Sequence, residues 1–167
     1  MEALTPIPVD FIREKVNLSW REAVWGLDRK WLGWRSLVDL ARAQSERNHR
    51  SELIAELATV DKDRSHRASE LARQLAATEP AVDEAYLKRK WLYLVTARLA
   101  QTKEEQTEFW KVIEEIYAEF DYPQEMRSFV PYEPPDGNDT GHYQTPYARL
   151  ESNLQKYLSQ AGAEFRS

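Results

Sequence analysis

Val82-Asp83-Glu84-Ala85-Tyr86-Leu87-Lys88-Arg89-Lys90-Trp91-Leu92-Tyr93-Leu94-Val95-Thr96-Ala97-Arg98-Leu99-Ala100 is the stretch on which the fold turns. Around Trp91 to Val95 it is apolar on several sides, and a helix apolar most of the way round is a buried, central one. The sequence therefore predicts a central helix here. Pro80 is placed in its first turn, where the missing N–H costs nothing. Trp91 to Val95 is also the longest strongly apolar run in the chain. It falls far short of the ~20 residues that cross a bilayer. Lys88-Arg89-Lys90 is the only basic triplet. Without a wider basic fingerprint it reads as a solvated face rather than a phosphate or nucleic-acid site.

Upstream, helical periodicity continues. Ser19-Trp20-Arg21-Glu22 fits a capping box, in which Ser19 and Glu22 satisfy each other's amides. Behind it Trp20, Ala23, Val24, Leu27 and Trp31 share one helix face, with Trp25 off that stripe. Gly33 breaks the chain, and Trp34, Leu37, Val38 and Ala41 begin a second stripe. Leu53, Ile54, Leu57 and Ala58 make a short third one. Asp61 or Asp63 can cap the next helix, where Ala68, Leu71, Ala72, Leu75 and Ala76 follow the i, i+3, i+4, i+7, i+8 pattern.

Downstream, Thr102-Lys103-Glu104-Glu105 reads as a second capping box. Phe109, Val112, Ile113, Ile116, Tyr117 and Phe120 then form the cleanest amphipathic stripe. Residues 121–145 hold four prolines and two glycines, and read as a short helix followed by a long loop. Thr145-Pro146 opens a last helix with Tyr147, Leu150, Leu154, Tyr157 and Leu158 on one face. The expectation is one all-α domain over residues 1–167 with about seven helices. It carries an N-terminal tail at 1–8 and a long loop at 130–145.

Composition narrows the chemistry. The 167 residues include six Trp, eight Tyr and five Phe, too many aromatics for a disordered chain. The absence of cysteine excludes a disulfide scaffold, a thiol nucleophile and a Cys-based zinc site. No glycine-rich phosphate loop and no G-x-S-x-G motif is present, so the reading expects no catalytic residues and no cofactor. Glu46-Arg47-Asn48-His49 matches the E-x-x-H spacing of di-iron bundles, and Asp63-Arg64-Ser65-His66 is a carboxylate variant. Such motifs sit mid-helix on inward faces. Here they flank polar helix ends and read as solvated residues rather than a metal site. Asp136-Gly137-Asn138-Asp139 lacks the order of a calcium loop and reads as a turn.

Charge is unevenly spread. The chain carries a formal net charge of -5. Residues 103–139 hold eleven Asp/Glu against three Lys/Arg, whereas residues 11–101 hold thirteen against seventeen. On the helix after Thr102, a turn of about 100° per residue places Glu104, Glu108, Glu115 and Glu119 within about 60° of one another. A solvated face accounts for this stripe. An acidic docking surface for a basic partner is the alternative, with Tyr122, Phe129 and Tyr132 as apolar anchors beside it.

A set of sequence blocks carries a resemblance. These are Ile7-Pro8-Val9-Asp10-Phe11-Ile12, Leu18-Ser19-Trp20-Arg21-Glu22, Trp25-Gly26-Leu27, Lys90-Trp91-Leu92-Tyr93-Leu94 and Ile116-Tyr117-Ala118-Glu119-Phe120-Asp121-Tyr122-Pro123. Phe129-Val130-Pro131-Tyr132 and Pro134-Pro135-Asp136 complete them. In order and spacing, from about Pro8 to about Leu158, the chain resembles the bacterial domain of unknown function 2247 family. The resemblance implies a helical, cytoplasmic, non-enzymatic protein. It further implies an immunity or antitoxin role, as held for some members, in which a cognate toxin domain is bound and neutralised. The acidic surface suits a basic toxin. Neither nucleic acid nor membrane is an expected partner. A helical interaction module of another role and a metal protein using Glu46, His49, Asp63 and His66 are the alternatives.

Overall fold

The computed structural model describes residues 5–47, 51–103, 108–131 and 146–166. Among them every regular element is helical, as the all-α reading expects. Eight α-helices follow in order: α1 (Val9–Lys15), α2 (Trp20–Asp28), α3 (Trp34–Arg47), α4 (Glu52–Leu57), α5 (Ser65–Ala77), α6 (Glu84–Gln101), α7 (Phe109–Glu119) and α8 (Pro146–Phe165). Short 3-10 turns occupy Lys62–Arg64 and Gln124–Phe129. The chain divides into two compact units, one ending at Trp91 and the other beginning at Leu92, so the boundary falls inside α6.

In the first unit, α5 buries Ala68, Leu71, Ala72, Leu75 and Ala76, the set that its spacing singles out. This face packs against α2, α3 and α4. The capping box at α2 forms: Ser19 Oγ accepts from the Glu22 amide (3.1 Å) and Glu22 Oε1 accepts from the Ser19 amide (2.8 Å). Glu79 completes the cap, with its two oxygens accepting from the amides of Trp20 (3.2 Å) and Arg21 (2.9 Å). All four amides that a helix leaves open at its start thus find carboxylate or hydroxyl acceptors. The two carboxylates also sit where the helix dipole favours negative charge.

The other end of α2 differs from expectation. The helix stops at Asp28, so Trp31 does not extend its stripe, although Trp31 is buried in the following turn. A Schellman closure explains the stop: the Trp31 amide donates to the Gly26 carbonyl (2.9 Å) and the Lys30 amide to Leu27 (3.0 Å). Lys30 takes the left-handed position with φ 67°, a place that favours glycine. Lys30→Gly is therefore expected to raise stability by about 0.5–1 kcal/mol, the left-handed penalty less the entropy of a freer chain. An unchanged or lower midpoint in urea melts would contradict this.

Three further local expectations are corrected. Ile7, placed in the N-terminal tail, is buried and its amide donates to the Trp31 carbonyl (3.0 Å). Pro80 lies outside α6, which starts at Glu84 with Asp83 Oδ1 accepting from the Ala85 amide (3.2 Å). Neither Asp61 nor Asp63 caps α5, which runs directly out of the Lys62–Arg64 turn. The buried reading of α6 holds, since Lys90 to Thr96 are buried without a break.

Lys90 departs from the solvated face expected of its triplet. It is 5% exposed and pairs with Glu22, itself 4% exposed. Its Nζ donates to Glu22 Oε1 (3.0 Å) and to the Asn17 carbonyl (2.7 Å), and lies 3.0 Å from Glu22 Oε2 as well. Beside this pair, Trp91 Nε1 donates to the Glu22 carbonyl (2.9 Å). The Trp91 ring covers Gly26 so closely that a Cβ there would lie 2.2 Å from Trp91 Cζ2.

The second unit holds the rest of α6, α7 and α8. Thr102 closes α6 rather than opening α7: its amide donates to the Arg98 and Leu99 carbonyls, and its hydroxyl donates to Leu99 (3.1 Å). α7 buries Phe109, Ile113, Ile116 and Tyr117. α8 packs on the Gln124–Phe129 turn, where Asn153 Nδ2 donates to the Ser128 carbonyl (2.8 Å) and the Phe129 ring meets Tyr157 at 5.2 Å. Burial, with Glu125, Tyr93 and Glu164 adding to it, holds the Tyr157 phenol far above its usual range. Most of the loop expected at 130–145 lies outside the described residues.

Candidate functional site

The acidic candidate site rests on α7, whose apolar spacing decides which way it faces. With Phe109, Ile113, Ile116 and Tyr117 turned inward, Glu115 and Glu119 stand on the opposite side, and both are exposed. Glu108 is exposed as well, but it precedes the helix rather than belonging to it, and it pairs with Lys111 at 3.7 Å. Glu104, expected on the same stripe, precedes α7 and lies outside the described residues.

Beyond Glu119 the chain turns by the device that ends α2. The Asp121 amide donates to Ala118 (3.1 Å) and the Tyr122 amide to Tyr117 (2.8 Å), a second Schellman closure. Here two consecutive residues, Asp121 (φ 63°) and Tyr122 (φ 55°), are left-handed, and neither is glycine. Each such residue costs roughly 1–2 kcal/mol, and backbone strain of this kind gathers at functional positions. The turn leaves Tyr122 59% exposed, with its ring edge-on to Tyr117 at 5.2 Å.

The other two expected anchors fare differently. Phe129 is 0% exposed and packs on Tyr157, so it supports the fold and offers nothing to a partner. Tyr132 lies outside the described residues. A different aromatic takes the exposed position. Tyr147, assigned to the inward face of the last helix, is 50% exposed and stacks on Trp110 at 5.6 Å with 16° between the rings. Nearby, Lys103 lies 5.3 Å from the Phe109 ring centroid and 5.7 Å from that of Trp110, and pairs with Glu151 at 2.6 Å.

Glu46, Asp63 and His66 are exposed, and His49 lies outside the described residues. Among the described residues no three His, Asp or Glu side chains gather as metal ligands. The first unit has a cleft of about 250 Å³ lined by Arg13, Asn17, Gln44 and apolar neighbours, where Arg13 is the ionisable side chain.

The family model described as "Uncharacterized protein conserved in bacteria (DUF2247)" matches residues 9–162. The chain belongs to this family. No curated protein and no solved structure matches it. The matched span of the DUF2247 chain runs from the first residue of α1 almost to the end of α8, and so includes both units. Several blocks that carry the sequence resemblance meet in the first unit. Ser19 and Glu22 make the cap, Gly26 admits the Trp91 ring, and Lys90 closes the ion pair. Those blocks specify the fold. Ile116 to Pro123 also builds the strained turn that presents Tyr122.

Among the described residues, no helix is long and apolar enough to cross a membrane.

Proposed function

We propose that this DUF2247 chain is a cytoplasmic, non-enzymatic immunity or antitoxin-type protein that binds and neutralises a basic bacterial toxin domain. The observation that carries the reading is the exposed carboxylate stripe of Glu108, Glu115 and Glu119, continued by Asp121 beside an exposed Tyr122. A field of one sign on a rigid helix raises the encounter rate with an oppositely charged partner and orients it. The resemblance to a family with toxin-neutralising members supports the same conclusion. No cofactor, nucleic acid or membrane enters the proposal.

Reversing two of these charges in Glu108→Lys/Glu115→Lys is expected to slow association with the cognate toxin by about tenfold at low salt. High salt should narrow the gap by screening. Both side chains are exposed, so the helix keeps its fold. Rescue of toxin-poisoned cells by co-expression, followed by association rates at two salt concentrations, measures the effect. Unchanged, salt-insensitive association would remove the acidic helix from the interface. Failure to bind a toxin encoded next to this gene would leave a helical interaction module with another role.

A further inference from the structure

Among the described residues Tyr122 and Tyr147 are the exposed large apolar side chains, and both belong to the second unit. They come from separate elements, the turn after α7 and the start of α8. Each nevertheless lies against an aromatic ring of α7, Tyr147 stacked on Trp110 and Tyr122 edge-on to Tyr117. Trp110 and Tyr117 are separated by two helical turns, about 20° around the helix and about 10.5 Å along it. Glu114 falls between them, four residues after Trp110 and three before Tyr117, so its side chain neighbours both. It is half-buried and takes part in no ion pair among the described residues.

The order along this flank is ring, carboxylate, ring, on a helix whose solvent side carries Glu115 and Glu119, with Glu108 just before its first turn. Of the nearby lysines, Lys103 pairs with Glu151 while lying 5.7 Å from the Trp110 ring centroid, and Lys111 pairs with Glu108. A flat ring next to a carboxylate suits a guanidinium, which stacks on the ring while its N–H groups reach the oxygens. An ammonium meets the field but offers no plane to stack. The fold uses the same contact internally, where the Arg29 guanidinium lies 3.5 Å from the Trp25 ring centroid.

We infer that this flank of α7 seats arginine side chains of a basic protein partner. Tyr147 with Trp110 forms one stacking seat, Tyr122 with Tyr117 forms the second, and Glu114 supplies the carboxylate between them. The spacing fits two arginines about 10 Å apart, as on successive double turns of a helix. The inference rests on the acidic-surface reading above and narrows it from a basic partner to an arginine-bearing one.

The test uses calorimetric titration of the full chain with oligo-arginine and oligo-lysine peptides of equal length. The arginine peptide is expected to bind about tenfold tighter, the product of two exposed cation–π seats. Tyr147→Ser and Tyr122→Ser should each cut that preference several-fold while leaving the lysine peptide within about twofold. Glu108→Lys/Glu115→Lys should weaken both peptides alike and preserve the ratio. Equal binding of the two peptides, or a preference untouched by both tyrosine substitutions, overturns the inference. Because no toxin is needed, the outcome is separable from the immunity reading: lost rescue with a retained arginine preference would fail only the latter.

Discussion

Lys90→Met is expected to destabilise the protein by about 3–5 kcal/mol, the cost of removing one partner from a buried ion pair. The methionine fills much of the lysine's volume, so little of the loss comes from packing. What remains is the Glu22 carboxylate, buried with only the Ser19 amide to satisfy it, and an Asn17 carbonyl without its donor. Denaturant melts of the variant measure the loss. The decisive comparison is Lys90→Met/Glu22→Gln, in which the amide oxygen at 22 still accepts from Ser19 while the orphaned charge is gone. The double variant should be more stable than Lys90→Met alone, a coupling of opposite sign to two independent losses. A Lys90→Met cost below about 1 kcal/mol would mean that the pair contributes no more than a surface salt bridge.

Nothing local in Lys88-Arg89-Lys90 distinguishes the third residue from the first two. Its partner is 68 residues away, and only the closure of α2 against α6 makes the position buried. Features written into short stretches were legible. The Ser19–Glu22 box, the α5 stripe and the α7 stripe all follow from spacing, because each concerns neighbours within one helix. Thr102-Lys103-Glu104-Glu105 carries the same signature as the first box, but α7 starts only at Phe109, and Glu104 and Glu105 lie outside the described residues. There the preceding helix runs on to Gln101 and its Leu99 carbonyl takes the threonine hydroxyl. The end of α2 was hidden for a related reason: Lys30 holds a position where glycine would have announced the stop.

The candidate site was half legible. Periodicity turned Glu115 and Glu119 outward correctly, since their placement follows from the apolar residues opposite. Anchors depend instead on which aromatic a turn leaves in solvent, and that requires tertiary contacts. Phe129 and Tyr122 look alike in a proline-rich stretch, yet one is sealed under α8 and the other is held out by two left-handed residues. Tyr147 shares a helical face with Leu150 and Leu154, which are buried. One turn earlier the same face has run past the core and stacks on the Trp110 ring instead.

Gly26→Ala should lower stability by about 3 kcal/mol, the upper end of what an inserted methyl costs a well-packed interior. Helix propensity alone argues the other way, because alanine in a helix interior is favoured over glycine by about 1 kcal/mol. Geometry decides the sign. The added Cβ would lie 2.2 Å from Trp91 Cζ2, 2.6 Å from Cη2 and 2.7 Å from Cε2, well inside contact distance of a rigid ring. That ring has no room to withdraw, being fully buried and tied through Nε1 to the Glu22 carbonyl on the same helix. Relief must come from moving α2, which would disturb the Glu22–Lys90 pair one turn away. Thermal and urea melts of Gly26→Ala, Trp91→Phe and the double variant resolve the cause. Trp91→Phe alone loses the indole hydrogen bond and leaves a void, yet in its presence Gly26→Ala should cost far less than in the parent. A stabilising Gly26→Ala would show that propensity prevails and that Trp91 does not press on the α2 backbone.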